Sequence, residues 1–139
     1  MKYMLDTNIC IYIIKKKPEK VFEKFCSLKP GDICISVVTL AELQFGIEKS
    51  QNKERNKLAL VYFLAPVEII PFSEKAAVSF GKIRAELELK GSIIGAYDMM
   101  IAAHCMSEGL ALVSNNISEF KRIDGLKLEN WICENLFIR

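Results

Sequence analysis

Two rhythms alternate along this chain. Short unbroken apolar runs give way to stretches with apolar residues three and four apart, and each change of rhythm falls at Gly, Pro, Asn, Asp or Ser. Lys2–Leu5 reads as a buried strand, after which Asp6, Thr7 and Asn8 offer capping side chains to a helix over Ile9–Ile14. Pro18 suits the first turn of a second helix through Leu28, whose Val21, Phe22, Phe25 and Leu28 recur at helical spacing, and Pro30-Gly31-Asp32 ends it. Ile33–Ser36 is a second strand, followed by a helix over Val38–Lys49. That helix carries Leu40, Leu43 and Ile47 on one face and Ala41 and Phe45 on another, with Glu42 on neither. The polar hinge Ser50–Asn56 leads to a helix over Lys57–Leu64, and the two helices read as a hairpin projecting from the sheet.

Val67–Ile70 is a third strand. Ser73 caps a long helix that runs to Lys90, closes at Gly91 and turns Ala77, Phe80, Ile83, Ala85 and Leu87 inward. A further helix follows Gly91 and Gly95, with Asp98 as its first acid in the stripe of Ile101, Ala102 and Cys105. Gly109 stops it, Leu110–Ser114 is the fourth strand, and Leu126–Trp131 is a fifth. Strands alternating with helices predict an α/β fold, a single domain over residues 1–139, with a mostly parallel central sheet of four to five strands flanked by helices.

Half of the 139 residues are hydrophobic, enough for a sizeable core, and this excludes a disordered or tail-like protein. The 19 basic and 17 acidic residues nearly cancel, so any polyanion must be held by local patches rather than by an overall field. Candidates are Lys15–Lys17, Lys49, Lys53, Arg55 and Lys57 on the hinge, and Arg84, Lys90, Lys121 and Arg122, all equally readable as surface or helix-end charge. The five cysteines (Cys10, Cys26, Cys34, Cys105, Cys133) show no CxxC spacing and fall in apolar segments. They read as reduced, buried, cytoplasmic thiols. One histidine and no cysteine pair give zinc little to bind, so His104 reads as a helix-surface or packing residue. No signal-peptide pattern and no apolar stretch near the roughly 20 residues of a membrane span are present.

The acids carry the chemistry. Asp6 ends the first strand, Glu42 lies in the helix after the second, Asp98 opens a later helix, and Asn115, Asn116 and Glu119 follow the fourth strand. In an open parallel sheet the strand carboxyl ends share one edge, where ligands bind, so these side chains are brought toward one place. Each also has a plainer reading: Asp6 and Asp98 as helix caps, Glu42 as a solvated acid, and Asn115, Asn116 and Glu119 as a turn. Carboxylates about 4 Å apart repel by roughly 4 kcal/mol per pair at an effective dielectric near 20, so a cluster of them calls for a cation. With oxygen donors alone the fitting ion is Mg²⁺, or Mn²⁺, and Mg²⁺ takes phosphate oxygens readily. The reaction this points to is hydrolysis of a phosphodiester by metal-activated water.

The blocks MLDTN (Met4–Asn8), SVVTLAELQFGIEKS (Ser36–Ser50), IRAELELKGSIIGAYDMMIAAH (Ile83–His104), LVSNNISEF (Leu112–Phe120) and ENW (Glu129–Trp131) resemble, in order and from end to end, the PIN-domain ribonucleases. The likeness is closest to the VapC toxins of toxin-antitoxin pairs. The resemblance implies that Asp6, Glu42 and Asp98 are the metal-binding catalytic acids, and that Thr7 and Asn8 shape the loop or touch substrate, as does Asn115. Many relatives carry an acid directly after the fourth strand, where this chain has Asn115 and Asn116; Asn116 or Glu119 then completes the set, and the number of ions stays open. It further implies an Mg²⁺-dependent endoribonuclease acting on structured RNA, such as initiator tRNA, inhibited by a VapB-like antitoxin in the active-site groove. DNA is met only through that antitoxin, and the toxin pairs as a homodimer. The alternatives are an RNA-binding module of the same fold without activity, and a different Mg²⁺ phosphohydrolase using Asp6 as nucleophile. Against the latter, DTN lacks a second aspartate two residues on.

Overall fold

Every strand pairing is parallel in the computed structural model, which describes residues 1–132. Strands β1 (Tyr3–Leu5), β2 (Ile33–Ser36), β3 (Glu68–Ile70), β4 (Ala111–Val113) and β5 (Lys127–Glu129) lie in the order β3-β2-β1-β4-β5. Tyr3 stands opposite Ile33 on one side and Ala111 on the other. Helices α1 (Thr7–Lys15), α2 (Glu19–Ser27), α3 (Val37–Glu48), α4 (Lys53–Leu64), α5 (Glu74–Lys90), α6 (Ala96–Ser107) and the single-turn α7 (Ile117–Phe120) cover the sheet.

A parallel sheet covered on both faces needs strands that are apolar at every position, which is why β1 and β2 read as unbroken runs. Alternate residues point to opposite faces. Met4, Cys34 and Leu112 join Ile83, Leu87, Met99, Ile101 and Phe120 of α5 to α7, while Leu5, Ile35 and Val113 join Ile9, Ile13, Val21, Leu43, Leu60 and Phe63 of α1 to α4. The fold is the α/β sandwich that the alternation of rhythms predicts.

Four local expectations need correction. The second hairpin helix begins at Lys53 rather than Lys57, because the Asn52 side chain accepts from the Arg55 N–H and caps it. The hairpin does not project from the sheet: Leu60 and Phe63 are buried in the α1–α2 layer, with Phe63 stacked on Phe25 at 5.6 Å between ring centres. In α5 the inward stripe is Ala76, Ile83 and Leu87 with Phe80 half-buried, and Ala77 and Ala85 face out. Ser73 caps that helix and Gly91, at φ 65°, closes it in a conformation open to glycine. Among the cysteines, Cys10, Cys34 and Cys105 are buried and Cys26 is exposed; Cys133 lies outside the described residues. Burial raises the three interior thiols well above their usual range, so they fill space as unreactive apolar groups. Among the described residues no helix is long and apolar enough to cross a membrane.

Candidate active site

The strand order turns back on itself between β1 and β4, and their carboxyl ends form the crevice in which open α/β sheets bind ligands. Asp6 follows β1 directly, its N–H donating to the Val113 carbonyl at 3.0 Å, and Ser114 follows β4. Asp6 does cap α1: its Oδ1 accepts from the Ile9 N–H at 2.9 Å. Capping does not exhaust it. The side chain is 4% exposed, and its pKa is raised to about 6. Burial is the main cause. Hydrogen bonds from the buried Ser114 hydroxyl and the Ile9 N–H pull the other way, and the negative charges of Asp98 and Glu42 push it up further.

Glu42 reaches the same crevice from the second turn of α3, which starts without a linker from β2 because Ser36 is at once the last strand residue and the helix cap. On the helical wheel Glu42 belongs to no face, and the structure supplies the reason: the Thr7 hydroxyl, on α1, donates to Glu42 Oε1 at 2.6 Å. Asp98 lies in the first turn of α6. The stripe of Ile101, Ala102 and Cys105 is fully buried, but Asp98 itself is only half-buried at the mouth of the helix. Its pKa is raised by burial first, then by the charges of Glu119 and Glu42.

The charges of Asp98 and Glu42 thus act on Asp6, and those of Glu119 and Glu42 on Asp98. Glu119, half-buried in α7, is the acid after the fourth strand whose charge acts on Asp98. Asn116 stands at the N-cap of α7 without a capping side-chain bond, its N–H donating to Ser114 Oγ at 2.9 Å. Asn115 Nδ2 donates to the Tyr12 hydroxyl at 3.2 Å, and Asn8 is exposed on α1. Two contributors escaped the sequence: Ser114, which bonds Asp6 from the position after β4 that Asp6 holds after β1, and Tyr12, which reads as an apolar helix residue. His104 is a packing residue and not a surface one, fully buried beside Ser36.

Among the described residues no three His, Cys, Asp or Glu side chains stand close enough to hold a metal ion between them as they are. The donor chemistry nonetheless fits a hard divalent cation. All the donors are oxygens, and Asp6 and Asp98 are held at raised pKa values by burial and by the charges of neighbouring acids, which a nearby double positive charge would reverse. An ion bound by one or two carboxylates, with water and phosphate oxygens filling its shell, is the usual way proteins bind Mg²⁺.

A parallel sheet in this order carries a buried acid after its first strand and a half-buried one at the head of α6, and residues 3–126 match the PIN domain family model; the chain belongs to that family. Its relatives there include VapC proteins. The chain is 52% identical over 132 residues to Ribonuclease VapC2 of Rickettsia felis, spanning 94% of this chain and 98% of that one. It is 47% identical over 131 residues to the tRNA(fMet)-specific endonuclease VapC of Salmonella typhimurium, again spanning 94% and 98%. The crystal structure of VapBC2 from Rickettsia felis bound to a DNA fragment from their promoter superposes with a TM-score of 0.88 at 49% identity, covering 94% of this chain and 99% of that chain.

Proposed function

We propose that this chain is the toxin of a VapBC-type pair, an endoribonuclease that uses Mg²⁺, or Mn²⁺ in its place, to cut structured RNA, with initiator tRNA as the substrate. The observation that carries this reading is the state of Asp6: a carboxylate almost wholly out of water at the sheet's switch point, with the charges of Glu42 and Asp98 bearing on it. Above about pH 6 that carboxylate is ionised, and a cation beside it offsets the cost of burying its charge next to theirs. The names of the relatives, a ribonuclease and a tRNA(fMet)-specific endonuclease, support the choice of RNA.

Asp6 and Asp98 hold the ion, with Glu42 as third acid and Glu119 as an outer charge near Asp98. When bound, the ion supplies an activated water and neutralises charge on the phosphate. The chain's own residues set the geometry. Ser114 and the Ile9 N–H fix the Asp6 carboxylate, Thr7 fixes Glu42, and Asn115, tied to Tyr12, stands at the rim with Asn8 for contact with the RNA.

A groove of about 790 Å³ between α1, α3 and α4 runs up to Glu42, with Leu43, Ile47 and Leu60 in its floor and Lys15, Lys17 and Arg55 at its rim. We infer that a segment of a VapB-like antitoxin lies there, closing the approach to Glu42, and that DNA is contacted only through that partner. The neighbouring VapBC2 complex on promoter DNA supports this. Leu58, Val61 and Tyr62 line the outer side of α4 and are exposed, an apolar surface suited to a second copy in a homodimer. The working compartment is the cytoplasm, where the RNA is.

The test is to incubate the purified chain with total tRNA and with an aryl phosphate, in Mg²⁺ and in EDTA. Discrete RNA fragments in Mg²⁺ alone are expected. Binding of RNA without cleavage under any divalent ion, or phosphate release without RNA fragments, overturns the reading.

A further inference from the structure

Away from the acids, the corner where α6 crosses the start of α3 holds polar side chains in a place built for apolar ones. Ser36 and His104 are both fully buried, and the Ser36 Oγ lies 2.8 Å from His104 Nδ1, a contact between residues 68 positions apart. The same oxygen accepts from the Val38 N–H at 3.1 Å, so one hydroxyl caps α3 and reaches α6. The neighbours of His104 on its helix, Ala103 and Cys105, are fully buried, and the Phe72 ring meets the imidazole edge-on at 5.4 Å. Thr39 Oγ1, one turn into α3, is buried without a hydrogen-bond partner. Buried polar groups cost stability even when partly bonded, so apolar packing here would serve mere filling better. Burial also keeps the imidazole neutral, the form in which one ring nitrogen accepts and the other donates.

The position of this contact supplies its use. Glu42 stands six residues after Ser36 on α3, and Asp98 six residues before His104 on α6, which along a helix is about 9 Å in each case. We propose that Ser36 and His104 are positioning residues: their bond braces α6 against the head of α3 and so sets how far Asp98 stands from Glu42. Thr7 does the same between α1 and α3, bonding Glu42 itself. The three helices that carry Asp6, Glu42 and Asp98 are thus joined by two polar bonds, one at the mouth of the site and one behind it. This inference rests on the reading that Glu42 and Asp98 serve one divalent ion.

The test compares Ser36→Ala, His104→Leu and His104→Asn with the parent. Mg²⁺ affinity is read by calorimetry and by the rise in melting temperature on adding Mg²⁺, alongside kcat and KM on tRNA. Asparagine keeps an N–H near the place of Nδ1; leucine and alanine keep the volume and remove the bond. Ser36→Ala and His104→Leu are expected to bind Mg²⁺ about tenfold more weakly, with kcat reduced and KM little changed, as when a residue behind a metal ligand is removed. His104→Asn recovers most of both, and the Ser36→Ala/His104→Leu double variant is no worse than either single one. If His104→Leu does not fold, Ser36→Ala and His104→Asn decide the matter. Folded Ser36→Ala with parental Mg²⁺ affinity overturns the brace while leaving the ribonuclease reading intact. A parent that binds no Mg²⁺ at all overturns both.

Discussion

The Thr7 hydroxyl donates to Glu42 Oε1 at 2.6 Å, joining the first turn of α1 to the second turn of α3 across 35 positions of sequence. Thr7 follows Asp6 directly, so the residue that anchors Glu42 is bonded to the residue that heads the site. Replacing Thr7 with Val keeps the shape and removes the donor. Cleavage should fall about tenfold, as for loss of a group orienting a metal ligand, while Thr7→Ser stays near the parent. The bond is only partly buried, so its loss should cost no more than about 1 kcal/mol in urea unfolding. Parental single-turnover rates in Thr7→Val would remove Glu42 from the site.

Asp98→Asn should abolish Mg²⁺-dependent cleavage and leave the fold intact. The carboxylate carries a raised pKa from burial and from Glu119 and Glu42, so neutralising it relieves repulsion. The metal-free variant should melt at or above the parent's temperature, and added Mg²⁺ should raise its melting point far less. Loss of folding with retained specific activity in the soluble fraction would assign Asp98 to structure alone.

Asp6 makes stability depend on pH in a direction unusual for an acid. Its folded pKa, about 6, lies above the ordinary value of 3.8, so the folded protein holds this proton more tightly than the unfolded chain. The associated stability is complete below pH 3.8 and is lost as pH rises through about 6, a change on the order of 3 kcal/mol. His104 acts in reverse, being held neutral by burial, and its contribution is lost as pH falls below the ordinary histidine range. Asp6→Asn retains a capping side chain for α1, so it isolates the electrostatic part. Without divalent ions, this variant should be more stable than the parent at pH 7 and equal to it near pH 4, by chemical denaturation. A constant difference at both pH values would refute the burial of charge at Asp6.

Glu119→Gln should reduce cleavage less than Asp6→Asn. Glu119 influences the site through Asp98, whereas Asp6 stands at the crevice itself with Ser114 and Ile9 holding it. Mg²⁺ titrations of activity for the two variants, run side by side, give the comparison. Equal losses would raise Glu119 to a direct ligand.

Much of this was legible beforehand because the signals were local. The strand over Ile33–Ser36 and the caps at Asp6, Ser73 and Gly91 are carried by runs and single residues whose conformational preferences are strong. What stayed hidden depended on distant partners. Nothing near Glu42 announces Thr7, nothing near Asp6 announces Ser114, and His104 reads equally as a surface or a packing residue until Ser36 is set beside it. On α5 the expected inward face holds at Phe80, Ile83 and Leu87 and fails at Ala77 and Ala85, because small residues fit either side of a helix and only packing chooses. The start of α4 stays hidden for a related reason: Lys53 to Asn56 is too polar to show a period, and its helix is held by Asn52 and by the burial of Leu60 and Phe63 further on.

The sheet keeps the interior in two separate oily compartments, one under α5 and α6 and one under α1 to α4. Truncating a side chain in each, Ile83→Ala and Leu60→Ala for instance, should therefore weaken the protein by independent amounts. The rim where β1 and β4 end borders both compartments, so a loosening that starts in either reaches the place where the acids must stay in register.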